Sequence, residues 1–398
     1  MADTVPSPSL QRLRILHVVR RGFAGGGLEN GIVNVANRLP GDRYRISICA
    51  LDSEETFSGR IRRPDSEFYL LPKRGDGIDW NLIWSLARLF RRAKVNLVHS
   101  HNWGTFLYSV VAAKLARVPI IHGEHGKTQN DLEPIGMLKR QTKSLLGRRV
   151  DRLVTVSQSI AAEWASYGVS LERIQWIPNG VDTERFRPRT DQIECRLRFG
   201  LPEGDLLIGG IGRLDALKNY EVLLVAFAKI ANEFPSLHLS LLGDGPCRER
   251  LLRKAKQFGV ADRVSILGWR PDPENFLTAL DIFVLPSKYE GMSNVVLEAM
   301  ASALPVVCAD LPAHREVFEP SRDGVVVSPC NGEMLAKVLA ELCRDPERRK
   351  SLGLAARKQV VSRFSIARMV SDYERLYDSC AYRETIFQSV PQEMPNRV

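Results

Sequence analysis

Hydrophobic residues fall into short apolar runs that alternate with segments of helical periodicity. The runs are rich in β-branched residues, which is typical of strands buried on both faces of a parallel sheet. The predicted strands are RLRILHVV (12–19), RISICAL (45–51), VNLVHSH (95–101), VPIIHGE (118–124), RLVTVS (152–157), LLIGGIG (206–212), LHLSLLG (237–243), RVSILG (263–268), DIFVLP (281–286), LPVVCA (304–309) and GVVVS (324–328). Between them, helical spacing of apolar residues predicts helices, among them 29–39, 221–234 and 294–302. The alternation predicts an α/β protein.

The same pattern repeats on both sides of one break. A chain of 398 residues exceeds what one hydrophobic core usually supports. The polar, proline-bearing stretch TERFRPRTDQ (183–192) separates the two halves. We therefore predict two doubly wound, Rossmann-like domains, 1–188 and 189–370, that face each other across a cleft. For 371–398 we predict a helix that packs back on the first domain, followed by a loose tail.

The excess positive charge lies in the first half. Residues 1–190 hold 29 Lys/Arg against 18 Asp/Glu, and the remainder holds 27 against 28. An anionic membrane surface or a phosphorylated acceptor suits this asymmetry, although a merely soluble basic surface explains it too. Nucleic acid is disfavoured because no zinc-finger spacing or RNP-type aromatic pattern occurs.

The targeting and cysteine patterns of the sequence predict the compartment of the protein. No apolar run approaches the roughly 20 residues that span a bilayer, and the N-terminus has no signal-peptide pattern. The seven cysteines show no CxxC pair. We expect a cytoplasmic protein with reduced thiols, with peripheral attachment to the inner face of the membrane as a further hypothesis.

Candidate phosphate-binding residues follow the first strand of the second half. GRLDALKN (212–219) supplies Arg213 and Lys218, whose donors suit diphosphate oxygens. Basic residues at strand ends are also common as ordinary surface charges, so this pair alone does not distinguish a phosphate site from a charged surface. Glycines after the next strands allow close approach to a nucleobase, or simply a turn. These are Gly243, Gly245 and Gly268.

The stretch YEGMSNVVLEAM (289–300) places carboxylates on both sides of a predicted helix start. Glu290 precedes the helix, and Glu298 lies about one turn inside it. The amides and dipole of a helix start favour an anion. The two carboxylates could then hold hydroxyls at the two ends of a nucleotide sugar, although a capping box with a surface glutamate explains this spacing by itself. The residues between the carboxylates include Gly291, Met292, Ser293 and Asn294.

In their order, these segments resemble the retaining GT-B glycosyltransferases of glycosyltransferase family 4. The matching segments run from about residue 12 to residue 380 and are GGGLENGIVNVANRL, HSHNWGT, HGEHG, VTVSQSI, IPNGVDTERFRP, GRLDALKN, LLGDGP, ILGW and YEGMSNVVLEAMASALPVV. GGGLENG and HNWGT look, more narrowly, like transferases of bacterial exopolysaccharide clusters. The resemblance implies a GT-B fold, sugar transfer from a nucleotide diphosphate sugar to a hydroxyl with retention, and no metal or other cofactor.

The resemblance also assigns roles to residues. Arg213 and Lys218 would hold the diphosphate. Glu290 would contact the sugar hydroxyls, Glu298 the ribose, and His125 the donor sugar as a neutral partner. The expected catalytic set is His125, Arg213, Lys218 and Glu290. The expected donor-binding set is Gly26, Gly27, Gly243, Gly245, Gly268, Gly291, Met292, Ser293, Asn294 and Glu298.

Two motifs of the first half remain open to alternatives. In RRGFAGGGLENG (20–31), Asn30 occupies the last position of a G-x-G-x-x-G fingerprint, which disfavours NAD. The resemblance instead places Gly26 and Gly27 at the cleft. His99 and His101 share a strand face and are a conceivable metal pair. No third ligand is apparent from the sequence, so packing and cleft lining are favoured and no metal site is predicted.

Two departures from the family pattern put the identity of the sugar in doubt. Ala303 stands where the family commonly has glycine, and Pro312-Ala313 replaces its Gly-Gly pair before Glu316. The acceptor is expected to be a saccharide or a polyprenyl-diphosphate-linked intermediate. The basic run KRQTKSLLGRRVDR (139–152) fits either a membrane surface or a core helix with a solvated face. The rival functions are a nucleotide-sugar 2-epimerase and a non-catalytic nucleotide-sugar-binding assembly component.

Overall fold

The computed structural model describes residues 12–20, 27–52, 59–126 and 136–388. The strands of the first sheet are β1 (Leu13–Val19), β2 (Tyr44–Ala50), β3 (Phe68–Leu70), β4 (Leu97–His101), β5 (Ile120–Glu124), β6 (Arg152–Thr155) and β7 (Ile174–Trp176). Its order is β3-β2-β1-β4-β5-β6-β7, and every pair is parallel. From β1, successive strands are added outward in both directions, which is the strand order of a doubly wound sheet.

The second sheet repeats this plan. Its strands are β8 (Leu206–Ile211), β9 (Leu237–Leu242), β10 (Val264–Ile266), β11 (Ile282–Leu285), β12 (Val306–Ala309) and β13 (Val325–Val327). The order β10-β9-β8-β11-β12-β13 is again wholly parallel. The predicted fold class of two facing Rossmann-like domains is therefore confirmed.

Helices connect the strands and cover the sheets. In the first domain they are α1 (Gly27–Arg38), α2 (Trp80–Arg92), α3 (Trp103–Ala116), α4 (Met137–Gly147) and α5 (Gln158–Ser166). The next helices are α6 (Gln192–Phe199), α7 (Tyr220–Ile230), α8 (Arg248–Gln257), α9 (Pro273–Ala279), α10 (Asn294–Ala301), α11 (Pro312–Arg315), α12 (Gly332–Arg344), α13 (Pro346–Arg363) and α14 (Ile366–Gln388). Parallel strands need such crossovers, which is why the apolar runs alternate with helical segments.

Strands β3 and β7 are absent from the sequence prediction. Each has three residues and lies at an edge of the first sheet, where it pairs with one neighbour. Their residues are only partly buried, and Leu70 is exposed. Neither segment forms a β-branched apolar run, so hydrophobic patterning does not detect them, whereas the equally short edge strands β10 and β13 lie in the runs RVSILG and GVVVS.

The last helix returns to the first domain. Met369, Leu376 and Tyr377 of α14 are buried in the same core cluster as residues of α1, β1 and β2. Across this contact the hydroxyl of Tyr44 donates to Asp378, at 2.5 Å. The predicted tail beyond residue 388 lies outside the described residues.

The basic run after residue 139 is divided between core and surface. Val150 is fully buried, whereas Leu145 is 59% exposed. Lys143 of α4 is buried, with its ammonium 4.7 Å from the ring centre of Trp164 and 3.9 Å from Glu124 Oε2. Within the described ranges, no helix combines the length and the apolar character that crossing a membrane requires.

Candidate active site

Lys218 and Glu290 meet at the carboxyl edge of the second sheet. Lys218 follows β8 and Glu290 follows β11, and these two strands are neighbours. Lys218 Nζ lies 2.7 Å from Glu290 Oε1, and Ser287 Oγ donates to the same oxygen at 2.6 Å. Burial by itself would raise the pKa of Glu290, but Lys218, His314 and Ser287 outweigh it, and the pKa lies below its usual range. The lowered pKa thus favours the carboxylate form of Glu290, in an ion pair with Lys218.

Arg213 lies in the same loop but remains largely free of protein partners. Its side chain is 73% exposed, and its Nε lies 3.8 Å from Asp215 Oδ2. Asp215 Oδ1 accepts the backbone N–H groups of Leu217 and Lys218 at 3.0 and 3.1 Å. Asp215 thus fixes the turn that presents Lys218, while the guanidinium of Arg213 can swing toward a ligand.

The start of α10 is a ready anion site. Ser293 occupies the N-cap position, yet its side chain makes no capping bond, and Ser293 Oγ is buried without a described partner. The helix therefore begins with amides that no side chain caps, beside the Lys218–Glu290 pair. Gly291 and Met292, which precede Ser293, are both buried. A helix start with free amides favours negative charge at this point.

Glu298 lies in the second turn of α10 and is partly buried. Burial raises the pKa of Glu298 to about 7; Arg185 opposes this shift, and Glu274 adds to it. The carboxyl group forms no hydrogen bond with the described residues. It is thus available to hydroxyl groups of a ligand, and it changes charge near neutral pH.

The predicted glycines of the second domain bring three loops together. A Cβ on Gly243 would overlap the carbonyl oxygen of Gly212, so only glycine allows the loops after β8 and β9 to touch. Gly243 N donates to the oxygen of Gly268 at 2.8 Å, and Gly245 packs on Leu214. The loops after β8, β9 and β10 therefore form one continuous floor beside Arg213.

The first domain contacts the loop of Glu290 and the start of α10 through backbone and amide groups. A Cβ on Gly291 would overlap the carbonyl oxygen of His125 and lie 3.0 Å from the Cα of Gly126. Asn294 Nδ2 donates to the oxygen of Gly27 at 3.1 Å, and Asn179 Nδ2 donates to the oxygen of Met292 at 3.3 Å. Predicted residues of both domains thus meet in one cleft. Gly26, also predicted for the cleft, lies outside the described residues.

His125, which is partly exposed, begins a chain of imidazoles that continues through the buried His101 and His17. His125 Nε2 lies 3.0 Å from His101 Nδ1, and His101 Nε2 lies 2.9 Å from His17 Nδ1. Burial lowers the pKa of His125 to about 4 and, with a contribution from His125, that of His17 to about 3. Burial thus disfavours the charged form of both rings, and the neutral role of His125 beside a donor sugar stays a prediction.

The sequence does not reveal the third imidazole of this cluster. Parallel pairing of β1 with β4 sets His17 opposite His99, and ring nitrogens of His17, His99 and His101 lie within 4.8 Å of one another. Three neutral imidazoles are a plausible ligand set for a transition metal. Two of their nitrogens already face each other, however, in the His17–His101 contact. Hydrogen bonding between His17 and His101 thus accounts for part of the cluster, and the packing and cleft-lining role favoured from the sequence remains a prediction.

Several polar groups at the cleft are missed by the motif analysis. Tyr220 OH is buried without a described partner, close to Gly212 and Lys218. Ser287 holds Glu290, and Asn179 joins the domains. Tyr220 directly follows Lys218 and Asn219 in the sequence. This closeness to a predicted phosphate-binding residue is the signal that could have identified Tyr220. The contacts of Ser287 and Asn179 depend on tertiary structure.

The two departures from the family pattern have different structural consequences. Ala303 keeps the left-handed conformation of a glycine, with φ at +59°. Pro312 and Ala313 instead start the short helix α11 with ordinary negative φ. Glu316, just beyond, accepts the N–H groups of Gln158 and Ser159 at the start of α5, at 2.7 and 3.0 Å. This loop therefore joins the two domains.

Comparison with known families agrees with this architecture. Residues 25–185 match the family described as Glycosyltransferase Family 4, and residues 191–359 match the family described as Glycosyl transferases group 1. The two matches together cover most of the chain. The chain belongs to the glycosyltransferases of this GT-B, family 4 type.

Similar proteins differ in what their names say they act on. The UDP-Gal:alpha-D-GlcNAc-diphosphoundecaprenol alpha-1,3-galactosyltransferase of Escherichia coli is 26% identical over 75% of this chain and 79% of its own length. The D-inositol 3-phosphate glycosyltransferase of Streptomyces bingchenggensis (strain BCW-1) is 30% identical over 66% of this chain and 62% of its own. Among solved structures, Anabaena HepE in complex with UDP and glucose has a TM-score of 0.81 at 20% identity, covering 92% of this chain and 100% of that one. The structural likeness concerns the fold.

Proposed function

We propose that this glycosyltransferase is a retaining enzyme that moves a sugar from a nucleotide diphosphate sugar to a hydroxyl of a lipid-linked or saccharide intermediate in cell-surface polysaccharide synthesis. The observation that carries the proposal is the partly buried Lys218–Glu290 ion pair beside the uncapped start of α10. The pair offers a cation to phosphate and a carboxylate to sugar hydroxyls within 2.7 Å of each other. A donor bound there has its diphosphate at the helix start and its sugar toward His125.

Stabilisation of the departing diphosphate is the main catalytic task. The bond between the anomeric carbon and the diphosphate oxygen breaks while the acceptor oxygen bonds to the same face of that carbon. The acceptor proton passes to the leaving phosphate, so no protein nucleophile is needed. Arg213, Lys218 and the amides of α10 stabilise the charge that develops on the diphosphate, which is commonly the largest catalytic contribution. We propose that these groups make a metal ion unnecessary.

The remaining cleft residues position the two ends of the donor. Glu290, held as a carboxylate by Lys218 and Ser287, accepts hydrogen bonds from sugar hydroxyls. Glu298, about one turn after the start of α10, accepts hydrogen bonds from the ribose hydroxyls. The exposed guanidinium of Arg213 closes over the diphosphate. Neutral His125 contributes a hydrogen bond to the sugar rather than a charge.

UDP is the first nucleotide to test, because the Escherichia coli relative is named for a UDP-sugar and a diphosphoundecaprenol-linked acceptor. The assay is a thermal-shift panel of UDP, GDP and ADP and their glucose esters, since a ligand that binds the folded state raises the melting temperature. The expected result is a shift for one nucleotide that Arg213→Ala strongly reduces. Arg248→Ala, at another partly exposed arginine of the same domain, is the matched control and should keep the full shift. No shift with any nucleotide, or the same shift in Arg213→Ala, would contradict the proposal.

Turnover separates this function from its rivals. Glu290→Gln keeps the shape of the side chain but loses the charge that Lys218 compensates, so sugar transfer to a polyprenyl-diphosphate-linked acceptor should fall by about 10²-fold or more. Radiolabelled sugar should appear in the lipid fraction with the unsubstituted protein. Epimerised free sugar without acceptor would indicate a 2-epimerase, and intact donor would indicate a binding component.

We also propose peripheral attachment to an anionic membrane through the first domain. Helix α2 exposes Trp80 and Trp84, at 64% and 53%, and carries Arg88, Arg91 and Arg92. Interfacial tryptophans flanked by basic residues favour a bilayer surface. At low salt, the protein should float together with vesicles that contain phosphatidylglycerol. A variant with both tryptophans replaced by glutamine should no longer float with them. Equal flotation of the two proteins, or none with the unsubstituted one, would refute attachment through α2.

A further inference from the structure

Three imidazoles form a continuous line from the interior of the first domain to the cleft. His17 on β1 contacts His101 on β4, and His101 contacts His125, with nitrogen–nitrogen distances of 2.9 and 3.0 Å. His17 and His101 are buried, whereas His125 is partly exposed. The remaining nitrogen of His125, Nδ1, has no hydrogen-bond partner among the described residues. The line therefore has one buried end and one open end.

Hydrogen bonding forces the tautomers of the three rings to agree. A neutral imidazole carries one N–H, so each ring donates with one nitrogen and accepts with the other. If His17 Nδ1–H donates to His101 Nε2, then His101 Nδ1–H donates to His125 Nε2, and His125 carries its proton on Nδ1. If the line runs the other way, His125 donates from Nε2 and its Nδ1 is a bare acceptor. The direction of the line thus decides whether His125 Nδ1 is a hydrogen-bond donor or an acceptor toward the cleft.

The buried end selects the direction. His17 Nε2 is buried and has no hydrogen-bond partner among the described residues. In the second direction this atom carries an unsatisfied N–H, and in the first it carries only an unused lone pair. Orphaned buried N–H groups are the rarer and costlier of the two. The first direction is therefore the stable one.

We propose that His17 and His101 are positioning residues that hold His125 in the Nδ1–H form, so that it donates a hydrogen bond to an oxygen of the bound sugar. This role rests on the proposed function, because it presumes that a donor sugar lies beside His125. His17 and His101 touch no substrate and act only through the hydrogen bonds of the line. Burial also keeps the rings neutral, as the lowered pKa values of His17 and His125 indicate.

Gly123 leaves the space that the line needs. Register between β4 and β5 sets Gly123 beside His101. A Cβ on Gly123 would lie 2.9 Å from His125 Nε2 and 3.2 Å from His101 Nδ1, the two nitrogens that face each other. It would also lie 3.1 Å from His99 Nε2. Any side chain at this position would therefore press on the hydrogen bond between His101 and His125.

The test is the tautomer of His125 in the free protein, measured by long-range 1H–15N NMR after labelling of the histidines. His125→Asn identifies the His125 signals. The expected result is an excess of at least about tenfold of the Nδ1–H form over the Nε2–H form, with a scalar coupling across the hydrogen bond from His101 Nδ1 to His125 Nε2. A predominantly Nε2-protonated His125, or the absence of that coupling, would overturn the inference. The measurement needs no nucleotide, so its result is independent of whether the proposed function holds.

Two variants at the middle ring separate positioning from packing. His101→Asn keeps an amide N–H near the place of Nδ1 and should preserve the Nδ1–H excess at His125. His101→Leu fills similar space without a donor and should reduce that excess. Equal His125 spectra in the two variants would show that the line does not set the tautomer. If His101→Leu does not fold, the wild-type spectrum alone still decides between the two directions.

Discussion

Substitution of Glu298 by glutamine should change how the stability of the protein depends on pH. Burial raises the pKa of Glu298 from 4.5 to about 7 in the folded protein. The folded state therefore binds more protons than the unfolded state between these values. Stability consequently falls as the pH rises through this window, because deprotonation favours the unfolded chain. Glutamine has no such titration, so the variant lacks this loss.

The shift sets the size of the effect. A difference of one pKa unit corresponds to about 1.36 kcal/mol, so a rise from 4.5 to about 7 amounts to at most about 3 kcal/mol when the carboxyl is fully ionised. At pH 5 the group is largely protonated in the folded protein, and the difference should be under about 1 kcal/mol. Glu298→Gln should therefore be more stable than the unsubstituted protein at pH 8 and nearly equal at pH 5.

Urea unfolding of both proteins between pH 5 and pH 8 tests this expectation. Glu249→Gln, at a side chain that is 72% exposed on the same domain, should change the free energy of unfolding little at any pH. A Glu298→Gln gain that is the same at every pH would show that shape, not charge, is responsible. If Glu298→Gln does not raise the free energy of unfolding at pH 8, the raised pKa of Glu298 is refuted. The argument that its carboxyl lacks a hydrogen-bond partner and can bind a ligand then fails too.

Three further substitutions probe other parts of the molecule. Ala303→Gly should raise the free energy of unfolding by about 1 kcal/mol in urea, since φ is +59° there and glycine adopts that conformation without strain. Lys143→Met removes the buried cation 3.9 Å from Glu124 and should cost about 3 kcal/mol, whereas Lys114→Met, at an exposed pair, should cost under about 1 kcal/mol. Glu316→Ala should speed hydrogen exchange of the two amides at the start of α5 without a comparable change elsewhere in the first domain. An unchanged free energy in either of the first two cases, or unchanged exchange in the third, would contradict the corresponding contact.

The sequence predicted the fold well because hydrophobic patterning reports on it directly. Each apolar run became a parallel strand, since a strand buried on both faces must be apolar throughout. The three-residue edge strands β3 and β7 were missed because neither lies in a β-branched apolar run. Local patterns therefore identified every strand of the second sheet and all but the two edge strands of the first.

The candidate site was only partly accessible from the sequence. Residues within one motif, such as Glu290 and Glu298, were recognisable together because a helix relates them. The contact between Lys218 and Glu290 depends on the adjacency of β8 and β11, which no local pattern reveals. His17 escaped notice for the same reason, because it joins His101 only through the pairing of β1 with β4.

The contact between the domains brings together two dipeptides that belong to separate sequence motifs. His125-Gly126 directly follows β5 in the first domain, and Glu290-Gly291 precedes α10 in the second. The two glycines pack backbone against backbone, and a Cβ on Gly291 would overlap the carbonyl oxygen of His125. Each candidate side chain is thus the direct neighbour of a contact glycine. Gly291 is needed because only a residue without a side chain lets the loop of Glu290 approach the loop of His125 this closely.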